Sequence, residues 1–151
     1  MNPHAEHRRG RLVILGVAAS DAHAVANHLI AMRLRQDGFV VVNLGVCTPL
    51  EEFADAVDAN PGAEAVIVGS LNGHAYEDLR GLPRLRAAGR MNVPVVLGGN
   101  LCVGGDDTAA DRQALLDLGV DHILGDPDAL TPLLDALRPA RPAPVVGPFH
   151  A

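Results

Sequence analysis

Residues Ser20 to Ala26, SDAHAVA, set a carboxylate and an imidazole one residue apart, Asp21 and His23. A carboxylate beside an imidazole accepts one ring N–H, fixes the tautomer and makes the opposite ring nitrogen a better electron donor. A histidine held in this way ligates a metal or moves protons. The plainer alternative is a solvent-facing loop histidine next to a helix-capping Asp. A zinc centre would need further ligands. His28 falls about one turn beyond His23, His74 sits on a different loop, and Cys47 is the only thiol within plausible reach, so the set does not make a zinc site. A single protein ligand makes sense where a macrocycle supplies the remaining positions.

The pair follows an apolar run, Leu12 to Val17, that reads as a buried strand. Similar runs recur as RLVILGVA, GFVVVNLG, AEAVIVGS, VPVVLGG and VDHILG, with helical patterns between them. Strands alternating with helices predict an α/β fold: a flavodoxin-like (Rossmann-like) doubly wound sheet of five parallel strands, with right-handed crossovers favouring the order 2-1-3-4-5. With no Trp, one Tyr and three Phe, the core must be built from Val, Ile, Leu and Ala, which suits parallel strands covered by helices.

The helices are placed by their ends. The first spans Ala24 to Gln36 and stops before Asp37-Gly38. The second starts at TPLEEF, where Thr48 can cap, Pro49 fits the first helical position and Glu51 completes a capping box. A third runs from about Tyr76 to Ala88, with Pro83 set against its first half. The fourth follows Asp106-Asp107-Thr108 and ends near Leu118-Gly119, and the fifth spans about Asp128 to Leu137.

At 151 residues, 48% of them hydrophobic, the chain is long enough for one domain with its own core. We expect a flexible segment at 1–10, the domain at 11–138 and a Pro-rich arm at 139–151. A formal net charge of −6 repels nucleic-acid phosphates and anionic membranes, so neither is expected as a partner. Cys47 and Cys102 are too few for a disulfide framework and fit a reducing compartment. The first ten residues lack a secretory apolar stretch and no later run reaches spanning length. A cytoplasmic location is expected.

In open α/β sheets the binding crevice lies beyond the carboxyl ends of the strands. Here those ends carry SDAHAVA, NLGVCTP, GSLNGHA and LGGNLCVGG, which should converge on one rim. Their small residues let backbone approach a large flat ligand or its tail. A phosphorylatable receiver would need Asp at the end of the third strand, where Gly69-Ser70 stands, and a dinucleotide site would need GxGxxG in the first turn. Both are missing. Among other rim residues, His74 is read as an exposed loop histidine with no role or as a contact to a bound ligand or a partner, Asn100 as a bond to the loop backbone or to a ligand's tail, and Glu77 and Asp78 as acids favouring a helix N-terminus.

Taken in order, SDAHAVANHL, GFVVVNLGV, GSLNGHA and LGGNLCVGG resemble the cobalamin-binding small subunits of glutamate mutase (methylaspartate mutase) and, more broadly, the B12-binding domains with an Asp-x-His-x-x-Gly signature. The resemblance runs from about Leu12 to Leu137. It implies that His23 displaces the dimethylbenzimidazole base and coordinates cobalt from the lower face, while Asp21 hydrogen-bonds the other imidazole nitrogen. The implied cofactor contacts are Ser20, Asp21, Ala22, His23, Ala24 and Val25 on the first loop, Gly69, Ser70, Leu71, Asn72 and Gly73 on the third, and Gly98, Gly99 and Asn100 on the fourth. The displaced nucleotide tail would lie between the sheet and the first helix, lined by Ser70, Leu71 and the Gly98-Gly99 turn, where a side chain would fill its path.

Three positions depart from the family pattern. Ala26 stands where the signature ends in Gly, and adds a methyl beside the tail slot. The Ser-x-Leu motif begins at Gly69, so the first hydroxyl is absent and Ser70 is next door. Loss of one buried hydrogen bond weakens binding by up to roughly tenfold. Asn72 replaces a common aromatic residue.

The resemblance implies an isomerase that uses adenosylcobalamin to interconvert L-glutamate and 3-methylaspartate. In that reading this chain binds the cofactor but not the substrate and is inactive alone. One flavodoxin-like domain offers a rim but no enclosed cavity for an amino acid, and its loops carry no set of Arg to grip two carboxylates. The substrate site is therefore expected on a larger barrel subunit, in a heterotetramer with the corrin between the chains. The alternative is a stand-alone cobalamin-binding module: a carrier, a regulator, or the B12 subunit of another mutase or aminomutase.

Overall fold

The computed structural model describes residues 5–99 and 108–138. Strand β1 (Leu12–Val17) shows why its sequence is an unbroken apolar run: every residue after Leu12 is buried. It lies inside the sheet, flanked by β2 (Val40–Asn43) and β3 (Ala63–Ser70), and β4 (Val95–Gly99) and β5 (His122–Leu124) complete the order β2-β1-β3-β4-β5. All four pairings are parallel. This is the flavodoxin-like doubly wound arrangement expected from the sequence. The register sets Val17 beside Gly69, Gly69 beside Gly98 and Ser70 beside Gly99, so the central strands end level at one rim.

Side chains alternate across the sheet and feed two cores. One face is covered by α2 (Leu50–Ala59), α3 (Ala75–Leu79), α4 (Leu82–Ala87) and α5 (Ala109–Leu118), packed around Ile14, Phe53, Val66, Val68, Leu82, Leu97 and Leu115. The other is covered by α1 (Ala24–Gln36) and α6 (Leu130–Leu137), around Val13, Leu15, Leu34, Ile67, Val96, Leu130 and Leu134. Gly16 is required on the first face, because a Cβ there would lie 2.7 Å from the Phe53 ring.

Several helix ends follow the sequence chemistry. Thr108 and Asp111 form a reciprocal capping box at the start of α5, and Gly119 ends that helix in the left-handed region. The helix expected from about Tyr76 to Ala88 is two helices broken at Arg80-Gly81, with Pro83 in the first turn of α4, where its missing N–H costs nothing. The turn ahead of α6 is a 3₁₀ turn, Pro127–Ala129.

The capping box expected at Thr48 does not form. Pro49 is the N-cap of α2 with no side-chain cap, while buried Thr48 directs its hydroxyl to the carbonyls of Leu44, Gly45 and Val46. Thr48 also bridges to Ala18 as a short extension of the sheet, which turns its side chain away from the helix.

Residues 5–10 of the expected flexible segment are tied down. Ala5–Arg8 form a 3₁₀ turn, Ala5 is buried, and Arg8 donates to the Asp135 carboxylate at 2.8 Å. They pack at the foot of the sheet, the end away from the rim. There Arg11, buried at the start of β1, bonds Glu64 on β3, Asp135 and the Leu134 carbonyl on α6, and stacks 5.1 Å from the centre of the Phe39 ring. Arg138, the last described residue, lines a cavity at the same end with Ala63 and Glu64. The Pro-rich arm 139–151 lies outside the described residues.

The rim ends of β3 and β4 approach too closely for a side chain at Gly99: its φ is 114° and a Cβ would sit 2.2 Å from the Ser70 carbonyl oxygen. At Gly98 the nearest atom would be 3.7 Å away. Gly99→Ala is therefore expected to cost about 2 kcal/mol or more, and Gly98→Ala much less. Urea unfolding of the two variants side by side checks this.

Candidate functional site

The turn after β1 brings Asp21 back under the sheet edge, where only 1% of its surface is exposed. A buried carboxylate must find donors, and Asp21 has three. Oδ1 accepts from the backbone N–H of His23 at 2.9 Å and from its Nδ1 at 2.5 Å, and Oδ2 accepts from the Leu71 N–H at 2.5 Å. The Asp21 backbone is also fixed, with its N–H donating to Ala18 and its carbonyl accepting from Cys47. One side chain thus joins the loop after β1 to the loop after β3, and its peptide reaches the loop after β2.

Burial pushes the Asp21 carboxyl upward, but the hydrogen bonds from Leu71 and His23 more than offset this and hold it below the ordinary value. The group is therefore an acceptor-only carboxylate. In the neutral ring the proton between it and His23 then sits on Nδ1, and Nε2 is the nitrogen that carries the lone pair. The His23 side chain is 59% exposed. An imidazole fixed through one nitrogen and open at the other is the arrangement a metal ligand needs.

Ser20, Ala22, Ala24 and Val25 are exposed around His23, and Val25 is 74% exposed. Across from them Asn72 donates to the Ser20 carbonyl at 2.7 Å and accepts from the His74 N–H, while the Ser20 hydroxyl donates to Asp78 at 2.6 Å. Asn72 and Asp78 therefore latch two rim loops together. Gly73 is buried in this turn with a φ of 83°. Cys47 is exposed on the neighbouring loop. Among the described residues, no group of three or more His, Cys, Asp or Glu is arranged around one point to hold a metal ion. Asn100 and Cys102 lie outside the described residues.

Behind His23 a slot runs between the sheet and α1. Its mouth is lined by His23, Ala26, Asn27, Leu71, Gly16 and Gly69. Leu15, Ile30, Gly69 and Gly98 are shared with an adjoining part lined also by Ile67, Gly99, Leu124 and Leu130. Gly69, Leu71, Gly98 and Gly99 thus all line the slot, and Ala26 lies at its mouth. At Gly69 a Cβ would meet nothing closer than 3.8 Å, so this glycine leaves open space in the slot.

Ser70 is the exception. Alternation along β3 sends Ile67 and Gly69 toward α1 and α6, and Val66, Val68 and Ser70 toward the opposite core. Ser70 is fully buried and lines neither part of the slot, and its Oγ has no hydrogen-bond partner. It does not replace the hydroxyl missing at Gly69.

Sequence reasoning passed over Asn27. This residue is buried, 4% exposed, on the core face of α1, in register with Ile30, Ala31 and Leu34. A polar residue inside that apolar stripe was the available signal.

The doubly wound sheet, the Asp21-braced imidazole of His23 and the glycine-walled slot meet at one rim of the fold. Residues 11–128 match the family model of the B12 binding domain, and the chain belongs to that family. Among its relatives are proteins named glutamate mutase sigma subunit. The one from Halobacterium salinarum is 40% identical over 83% of this chain and 84% of its own length. The one from Clostridium cochlearium is 33% identical over 75% of this chain and 82% of its own length. Two solved structures share the fold. A cobalamin-binding protein from Desulfitobacterium hafniense has a TM-score of 0.69 at 18% identity over 85% of this chain, and the Methanosarcina barkeri monomethylamine corrinoid protein has 0.67 at 19% over 89%. The chain spans 60% of each of those two proteins. No helix among the described residues is long and apolar enough to cross a membrane.

Because the Asp21 carboxyl is held below its ordinary value of 3.8, the stability it contributes is present above that value and is lost as pH falls through the lower folded one. Asp21→Ala should cost about 2 kcal/mol at neutral pH, and its stability should fall less steeply than the parent's on acidification below about pH 4. Chemical denaturation across pH measures both.

Proposed function

We propose that the chain is the cobalamin-binding small subunit of an adenosylcobalamin-dependent glutamate mutase, with His23 as the protein ligand to cobalt. The observation that carries this reading is Asp21, which takes up one nitrogen of His23 and leaves the other open beside a slot walled by Gly69 and Gly98. The residues fit a corrinoid: one ligand suffices where a macrocycle fills the other positions, and the slot accepts a tail. When bound, adenosylcobalamin supplies radical chemistry by breaking its cobalt–carbon bond.

The chain's own residues bind and orient. His23 Nε2 provides the lone pair, and Asp21 raises its donor strength and prevents the ring from turning. Asn72 and Asp78 keep the two loops on either side of the imidazole at a fixed distance. The apolar depth of the slot excludes water from whatever part of the cofactor enters it. The loops at 18–23, 44–49 and 71–74 carry no Lys or Arg, so the described rim holds nothing that would pair the two carboxylates of glutamate. That charge pattern supports a substrate site on a second, larger subunit placed over the exposed face of His23, and a small subunit that is inactive alone. By resemblance the partner is a barrel and the assembly a heterotetramer in the cytoplasm.

With cob(II)alamin bound, the electron-spin spectrum should show coupling to an imidazole nitrogen of the protein, and His23→Ala should remove it. Benzimidazole coordination in the unmodified protein would overturn the assignment. Addition of a glutamate mutase large subunit and adenosylcobalamin should give conversion of L-glutamate to 3-methylaspartate. Tight cobalamin binding without any such turnover would instead mark a stand-alone cobalamin module.

A further inference from the structure

Asn27 carries a buried amide whose orientation is decided by its neighbours. The Gly45 N–H can only donate, and it donates to Asn43 Oδ1 at 3.0 Å. Asn43 must then offer its Nδ2, which donates to Asn27 Oδ1 at 2.8 Å. This relay leaves Asn27 Nδ2 as the free end, a buried donor with no partner. A buried donor without an acceptor costs free energy unless something fills the need. Asn27 lines the mouth of the slot together with His23 and Gly69. It sits one helical turn from His23, opposite the strand position where the family's hydroxyl is missing. The other slot residues, Leu15, Ile30, Ile67, Val96, Leu124 and Leu130 among them, offer side chains without donors.

From this juxtaposition we infer that Asn27 reads the nucleotide tail of the corrinoid: its Nδ2–H donates to an acceptor atom on the tail, in place of the hydroxyl absent at Gly69. The inference rests on the cobalamin reading above. The Asn43–Asn27 relay presets the donor before the ligand arrives, so binding satisfies an amide that the protein alone leaves unpaired. The acceptor is either the base nitrogen released when His23 takes the cobalt or an oxygen of the ribose-phosphate link. Both are acceptors on the same tail, and the chemistry required of Asn27 is the same.

The test compares cobalamin with cobinamide, which has the same corrin and no nucleotide, by spectrophotometric titration of the purified chain at neutral pH. Asn27→Asp keeps an oxygen for Asn43 and nearly the same shape, and exchanges the amide donor for a carboxylate that at neutral pH offers none. It should weaken cobalamin binding by about five- to tenfold and leave cobinamide within about twofold. Gly69→Ser has room for its side chain, and in the Asn27→Asp background it should recover part of the lost affinity. Thermal unfolding of each variant without ligand confirms that the domain is intact, and Asn27→Ala repeats the comparison if Asn27→Asp fails to fold. A cobamide whose base is a nitrogen-free phenol separates the two acceptors: the Asn27→Asp penalty disappears if the ring nitrogen is read and persists if the oxygen is, and either result supports the donor role. Equal loss for both corrinoids, or no loss for either, overturns the inference. If the unmodified protein binds cobinamide and cobalamin with imidazole ligation but Asn27→Asp matches it, only the Asn27 assignment falls. If it binds neither corrinoid, the cobalamin reading falls and takes this one with it.

Discussion

The architecture of the rim depends on one buried carboxylate. Asp21 would be unaffordable under the sheet edge without donors, and the donors it has come from two separate loops. Removing it would free the His23 ring, leave the Leu71 N–H without its acceptor and loosen the approach of β1's loop to β3's. The same atom pair that orients the imidazole therefore also shapes the mouth of the slot behind it. Ligand geometry and loop geometry are a single constraint here, which explains why the residue is charged and buried at once.

The slot depends on a second constraint, the two-residue period of a strand. Gly69 and Gly98, paired in register, face α1 and α6 and leave space, while their neighbours along the strands, Val68 and Leu97, feed the opposite core. A hydroxyl moved by one residue, from position 69 to Ser70, lands in the wrong layer. The protein keeps the cavity by having no side chain where one would intrude, and places a buried amide on the helix across from it.

Much of this was readable from residue order. The five apolar runs, the bounds of α1 and the Thr108 cap all follow from local pattern, and each is where that pattern puts it. The Asp21–His23 contact was readable too, because two residues in a loop cannot separate far. What escaped was decided by neighbours distant in sequence. Thr48 looks like a cap until its strand bridge to Ala18 turns it away. The face occupied by Ser70 depends on the phase of β3 against its neighbours. Asn27 looks like an ordinary helix residue until Asn43, on β2, fixes its amide. The fate of residues 5–10 depended on Arg8 finding Asp135 across the whole chain.

The ionic knot of Arg8, Arg11, Glu64 and Asp135 fastens the described beginning and end of the chain to the foot of the sheet, a strand's length from His23. A six-residue strand such as β1 spans about 20 Å. The described chain therefore enters and leaves on the underside, and a surface that gripped this knot would hold the domain with its imidazole facing open solution.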